Sequence, residues 1–191
     1  RNIFLDDADR SIFMEKLNKA REIGGFELYA YCLMDNHVHL LIKEGEELGT
    51  SIKRMTVGYV QLHNNKYGRT GHLFQNRFNS EAVEDDLYLM TVVRYIHCNP
   101  IKAGIASCLE EYPWSSYPGY VRSQQATEWV DYAVLKQYGS TFPDARRRYR
   151  AYAQAMVAKD DDLLRERMGR SIYAPGSETI VSEVEQELCR E

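Results

Sequence analysis

The stretch FELYAYCLMDNHVHLLIK, residues 26–43, narrows the possible folds more than any other part of the chain. Residues 26–34 are rich in aromatic and other strand-forming side chains, Asp35-Asn36 has turn chemistry, and residues 37–43 form a second strand-like run. Together they predict an antiparallel hairpin. Upstream, Ile12, Phe13, Leu17, Ala20 and Ile23 recur at three- and four-residue steps and stop at Gly24-Gly25, which predicts a helix. Downstream, Thr50 can cap a helix that carries Ile52, Met55, Tyr59, Val60 and Leu62 and ends near Gly68. Residues 72–83 alternate loosely and read as another strand. Asp85 or Asp86 can then cap a helix through Leu87, Met90, Val93 and Tyr95, whose end Pro100 fixes near Asn99 because the residue before a proline leaves the helical region.

Past Tyr112-Pro113-Trp114 the character becomes helical, with segments expected near 132–138, 144–159, 161–168 and 178–190. A boundary at 123–127 divides the chain into residues 1–125, an α+β body, and residues 126–191, a helical C-terminal extension. There is no internal repeat and no low-complexity tract.

With 44% apolar and 27% charged residues the composition is that of an ordinary globular protein. No apolar run approaches the eighteen or so residues of a membrane span, and no signal-peptide pattern is seen, so a cytoplasmic location is expected. Cys32, Cys98, Cys108 and Cys189 are scattered without a C-x-x-C pair, which argues for reduced structural thiols and against a zinc knuckle.

The net charge of -4 speaks against a nucleic-acid partner, but its distribution does not. Residues 48–80 contain Lys53, Arg54, Lys66, Arg69 and Arg77 and no Asp or Glu. Arg146, Arg147, Arg148 and Arg150 form a second basic cluster. Local basic surface matters more for phosphate contact than the global sum, although either run could equally be a solvated helix face.

In a strand, His37 and His39 point to one face and Val38 to the other. Two imidazoles about 7 Å apart along a strand can share one metal ion. They can also be a structural pair. Further on, Tyr95 and Asn99 are four residues apart near a helix end and so share a face.

Here the sequence resembles the HUH endonucleases of the single-tyrosine type, and within them the REP-associated tyrosine transposases. His37-Val38-His39 matches the histidine-hydrophobic-histidine signature, and YIHCNPIKAG from Tyr95 matches the segment carrying the nucleophilic tyrosine. YGRTGHLFQNRF (67–78) and YPWSSY (112–117) also match, so the likeness runs from about residue 2 to 120. RNIFLDDADR resembles a point just after that family's usual first strand, whose motif is not found.

The resemblance implies a ferredoxin-like antiparallel sheet with helices packed on it, a divalent metal held by His37, His39 and a polar residue, and Tyr95 attacking a DNA phosphodiester. Asn99 maps onto the third ligand position. As a hard neutral oxygen donor it suits Mg²⁺ or Mn²⁺. The implied substrate is single-stranded or hairpin-forming DNA, joined covalently to the protein through a 5′-phosphotyrosine, and the implied setting is the nucleoid. Lys53, Arg54, Lys66, Arg69 and Arg77 are the expected phosphate contacts, with Phe74 or Tyr67 available to stack on an unpaired base. His63 and His97 rival the other histidines as ligands, and Tyr59 and Tyr67 rival Tyr95 as nucleophile; His97 reads better as a packing or surface residue. A monomer and a homodimer are both open. Two other readings remain: a non-catalytic DNA- or RNA-binding regulator on the same fold, and a metal hydrolase that uses water.

Overall fold

In a computed structural model of the 191-residue chain, the structure describes residues 2–74, 78–83, 85–155 and 179–184. Helix α1 (Asp7–Gly24) begins where the Asp6 carboxylate accepts from the Asp9 N–H and ends at Gly25, whose positive φ of 67° lets its N–H reach the Arg21 carbonyl. Strands β1 (Glu27–Leu33) and β2 (Val38–Lys43) form the expected hairpin, with Cys32 opposite His39 and Leu33 opposite Val38. Asp35 and Asn36 lie at its tip, and the Met34 N–H donates to the His37 carbonyl at 2.9 Å. The N-terminal segment locks that tip: the N–H groups of Ile3 and Phe4 both donate to the Asp35 carbonyl, at 2.8 and 3.1 Å.

Helix α2 (Leu48–Tyr67) ends at Gly68, again with positive φ. It starts two residues before the expected Thr50 cap, because the Glu44 carboxylate already accepts from the Leu48 N–H and the Thr50 hydroxyl is turned onto Glu47. The third strand is shorter than expected, β3 (Asn79–Val83). Helix α3 (Asp86–Lys102) is capped by Asp85, as expected, but runs through Pro100 instead of ending at Asn99. Pro100 falls in the last turn, so only Ile101 and Lys102 continue the helix beyond it.

The C-terminal region is helical through α4 (Tyr117–Val121), a 3-10 turn at Tyr132–Gln137 and α5 (Phe142–Ala155). The expected helix at 161–168 lies outside the described residues. The expected helix at 178–190 is overturned over its first part, since Thr179–Val184 forms strand β4. Its sequence, TIVSEV, is dominated by β-branched residues, and two partners wait for it. The sheet is antiparallel throughout, in the order β1-β2-β4-β3, so β4 is an inner strand. Its residue Glu183 stands in register with His39 on one side and Asn79 on the other. The fold is therefore α+β: the elements run α1-β1-β2-α2-β3-α3 and then the C-terminal helices, and the inner place of the antiparallel sheet beside β2 is taken by β4, from late in the chain.

Every residue from Val38 to Ile42 is buried, so both faces of β2 are covered. Phe4, Phe13 and Tyr59 pack together where α1 meets α2, with centroids 5.3 to 5.6 Å apart; Phe13 meets both other rings edge-to-face, and Phe4 and Tyr59 are tilted. A second aromatic cluster joins α3 to the C-terminal helices: Tyr117, Tyr120 and Tyr149 ring the buried His97. Cys32 and Cys98 are core residues. No helix among the described residues is long and apolar enough to cross a membrane.

The His97 ring is bonded at both ends, to the Ser116 hydroxyl at 2.7 Å and to the Tyr149 hydroxyl. Burial pushes its pKa down to about 3. Below the usual histidine pKa of about 6.5 the unfolded chain takes up a proton that the folded protein refuses, so stability falls on acidification, by about 1.4 kcal/mol per pH unit per group. From pH 7 to pH 5 His97 accounts for a loss of about 2 kcal/mol by this linkage. Urea unfolding at the two pH values should show that the His97→Gln variant loses about 2 kcal/mol less than the wild type. Equal losses would mean that His97 takes up its proton in the folded state.

Candidate active site

His37 follows directly on the hairpin tip, and its Nδ1 lies 2.8 Å from the Asn36 side-chain oxygen, which fixes the ring. His39, the second residue of β2, is 1% exposed. The two rings meet at 4.7 Å between centroids, nearly perpendicular, on the shared face that their spacing predicts. Burial, with the neighbouring His37, holds the His39 pKa well below its ordinary value. It is therefore a neutral imidazole at neutral pH, the form in which histidine donates to a metal.

Helix α3 brings the tyrosine to this pair. The Tyr95 ring stands 5.7 Å from the His39 ring, edge to face. One turn further, the Asn99 amide nitrogen donates to the Tyr95 carbonyl at 2.9 Å, committing the donor end of that amide to the helix. Lys102, seven residues from Tyr95 and hence on the same side of α3 two turns on, places its ammonium 5.2 Å from the centre of the Tyr95 ring. The sequence reading missed Lys102. The signal was the spacing of seven, hidden because Pro100 was expected to end the helix.

The rivals lie elsewhere. His63 is buried on α2 between Tyr59 and Tyr67, and His97 sits in the tyrosine cluster. Among the described residues no three His, Cys, Asp or Glu side chains group as a metal site. Tyr59 donates its hydroxyl to the Ile3 carbonyl, and burial raises its pKa. Tyr67 donates to the Asp9 carboxylate at 2.9 Å, and its pKa too is raised, by burial first. Two imidazoles, one of them held neutral, beside a helix that carries the Asn99 carboxamide and turns its cysteine, Cys98, into the core toward the Ala153 carbonyl, fit a hard divalent cation better than a closed zinc site.

The expected phosphate contacts divide. Lys53 is exposed and Arg69 half-buried, and neither forms an ion pair among the described residues. Arg54 instead forks onto Glu46, and Lys66 bridges Asp6 at 2.7 Å and the buried Asp9 at 2.8 Å. The Lys66 ammonium draws the Asp6 carboxyl below its usual range. Burial pushes the Asp9 carboxyl up, but Lys66, the Leu5 N–H and Tyr67 outweigh it and leave the pKa lowered. Arg77 lies outside the described residues. In the second basic cluster Arg147 and Arg148 pair with Asp144, Arg150 reaches Glu110, and Arg146 donates to the Gly119 carbonyl, so that cluster mostly ties α5 down.

A histidine pair on an inner sheet strand, faced by a tyrosine on the helix packed over it, is the arrangement implied for a single-tyrosine transposase. The chain belongs to the IS200-like transposase family, whose profile, described as Transposase IS200 like, matches residues 1–99. It is also 28% identical over 142 residues to a Haemophilus influenzae protein named "Putative REP-associated tyrosine transposase", covering 64% of this chain and 80% of that protein. No solved structure matches the chain.

The ion pairs give Lys66 and Lys53 different jobs. Lys66→Met, which strands the Asp9 carboxylate in a buried position, should lower the thermal midpoint by several degrees. Lys53→Met should leave it unchanged, and equal shifts in differential scanning calorimetry would mean that the Lys66 bridge holds nothing together.

Proposed function

We propose that this transposase nicks and rejoins single-stranded, hairpin-forming DNA through Tyr95. The observation that carries the reading is the contact of the Tyr95 ring with His39, itself against His37, at the only tyrosine the sequence resemblance marks as nucleophile. The Tyr95 phenol oxygen attacks the scissile phosphorus and the P–O3′ bond breaks. The phenolic proton is lost, the departing oxygen gains one to become a 3′-hydroxyl, and the 5′ side stays on Tyr95 as a phosphodiester. Because the number of phosphodiester bonds is conserved, a 3′-hydroxyl can reverse the step without ATP.

A phenol with a pKa near 10 is a poor nucleophile at neutral pH, so nearby positive charge must favour the developing phenolate. His37, His39 and the Asn99 carboxamide oxygen would hold Mg²⁺ or Mn²⁺, which when bound supplies polarisation of a phosphate oxygen and alignment of the scissile bond. Lys102 adds a cation from the protein itself, close enough to the Tyr95 ring to steady the phenolate or a phosphate oxygen in the transition state. His39, its pKa held down by burial, stays neutral in this scheme. Lys53 and Arg69, free of ion pairs among the described residues, contact flanking phosphates, while Arg54 and Lys66 act through the fold.

Incubating the purified protein with a labelled single-stranded hairpin DNA from the repeats flanking its gene should give, on a denaturing gel, a covalent adduct that requires Mg²⁺ or Mn²⁺ and disappears with a chelator. Tyr95→Phe should form none. Lys102→Ala should form it at least roughly tenfold more slowly, with partial recovery in Lys102→Arg. An adduct retained in Tyr95→Phe would overturn the nucleophile. Tight binding with no adduct under either metal would instead favour a binding protein on the same fold.

A further inference from the structure

We propose that a cavity between α2 and the loop 68–74 receives one unpaired nucleobase of single-stranded DNA, a reading that rests on DNA being the substrate. The cavity has a volume of about 380 Å³ and is lined by Thr56, Val57, Val60, Gln61, His72, Leu73 and Phe74. It is a built feature. The Asn64 backbone carbonyl accepts from the Arg69 N–H at 2.8 Å and the Asn64 side-chain amide donates to the Gly71 carbonyl at 3.0 Å, so one residue of α2 fixes both ends of the turn. Gly71 has a φ of 91°, which turns the chain back toward the helix. Leu73 then anchors the loop in the core, and Phe74 is half-buried against Tyr59 at 6.4 Å.

The lining has the chemistry of a base. Val57, Val60 and Phe74 offer apolar surface for a flat ring. Val57 is 58% exposed, on a helix face where the fold itself has no use for an apolar side chain. The Gln61 amide and the His72 ring supply donors and acceptors for a base edge, and the Thr56 hydroxyl, which donates to the Ile52 carbonyl, keeps an acceptor. The charge around the cavity selects a nucleic acid over a neutral peptide. Lys53 lies one helical turn from Val57 and Arg69 lies in the loop, and these are the two cations of α2 and its loop without an ion pair among the described residues. Of the two aromatic residues expected to stack on a base, Tyr67 is engaged with Asp9, whereas Phe74 lines the cavity.

The test uses Tyr95→Phe protein, so that binding is read without cleavage. Fluorescence anisotropy compares a labelled oligothymidylate of about twelve nucleotides with an oligomer of equal length and charge in which the inner nucleotides are abasic. Stacking needs only a π face, so no particular sequence is required. Oligothymidylate should bind about tenfold more tightly than its abasic counterpart. Adding Val57→Gln, at an exposed position, or Phe74→Ala should erase the difference while leaving abasic binding intact; Lys53→Ala should weaken both oligomers alike. Equal affinity for the two oligomers, no binding of either, or a difference that survives Val57→Gln overturns the base site. So does a wild-type dimer in sedimentation that Val57→Gln breaks, which would make the cavity a contact between copies. Covalent adduct formation by the Tyr95 protein is read separately, so a failed pocket and a failed nuclease remain distinguishable.

Discussion

The two-residue reversal at Asp35-Asn36 governs the geometry of the histidine pair. A slip of one residue in the β1–β2 register would turn every side chain of β2 to the opposite face and take His39 away from α3. The reversal is held from outside the hairpin: one carbonyl, that of Asp35, takes N–H donors from Ile3 and Phe4, while the Asp35 carboxylate pairs with Arg10 on α1. The next residue, Asn36, turns its side chain onto His37. The N-terminal segment, the first helix and the turn thus form one unit whose product is a fixed pair of imidazoles.

Helix α3 meets that unit with a division of labour set by the 100° step between successive helical residues. Arg94 is buried with its guanidinium over Tyr152 of α5, Tyr95 faces His39, and His97 enters the tyrosine cluster between α3, α4 and α5. Two of the three contacts fasten the helix to the C-terminal region, and the one between them presents the nucleophile candidate. The C-terminal helices therefore brace the element that carries Tyr95. Rigid support of this kind is what a reaction needs when its atoms must meet within a few tenths of an ångström.

Much of this was legible in the sequence because it is local. The hairpin, α1 with its Gly25 stop, the Asp85 cap and the shared face of His37 and His39 follow from periodicity, caps and turn residues within short windows. The errors are non-local. TIVSEV became a strand because β2 and β3 leave an inner place for it, information that lies over a hundred residues away from it in the chain. Pro100 was tolerated because it falls where α3 is ending. The ion pairs of Lys66 are equally hidden from a local reading, since its carboxylate partners, Asp6 and Asp9, lie 60 and 57 residues upstream. The roles expected of Asn99 as a ligand and of Tyr95 as a nucleophile come from the resemblance, while the structure adds that the Tyr95 ring stands against His39.

The same non-local pairing resolves the conflict between an acidic chain and a DNA-processing family. A net charge of -4 counts every ionised group equally, yet acids and bases here are not interchangeable in position. Glu46, Asp6, Asp9, Asp144 and Glu110 are spent on ion pairs with Arg54, Lys66, Arg147, Arg148 and Arg150, which weakens the share of those cations in the surface field. The cations of α2 and its loop that stay outside such pairs among the described residues, Lys53 and Arg69, carry the field that an approaching phosphate would feel within a Debye length of about 10 Å. Two separated charges give weak, salt-sensitive attraction, so affinity for a particular strand has to come from contacts with the bases as well as with the backbone. In the function proposed above, a protein of this charge pattern would gain its grip on DNA from shape and stacking near α2, and leave the phosphate chemistry to the group around Tyr95.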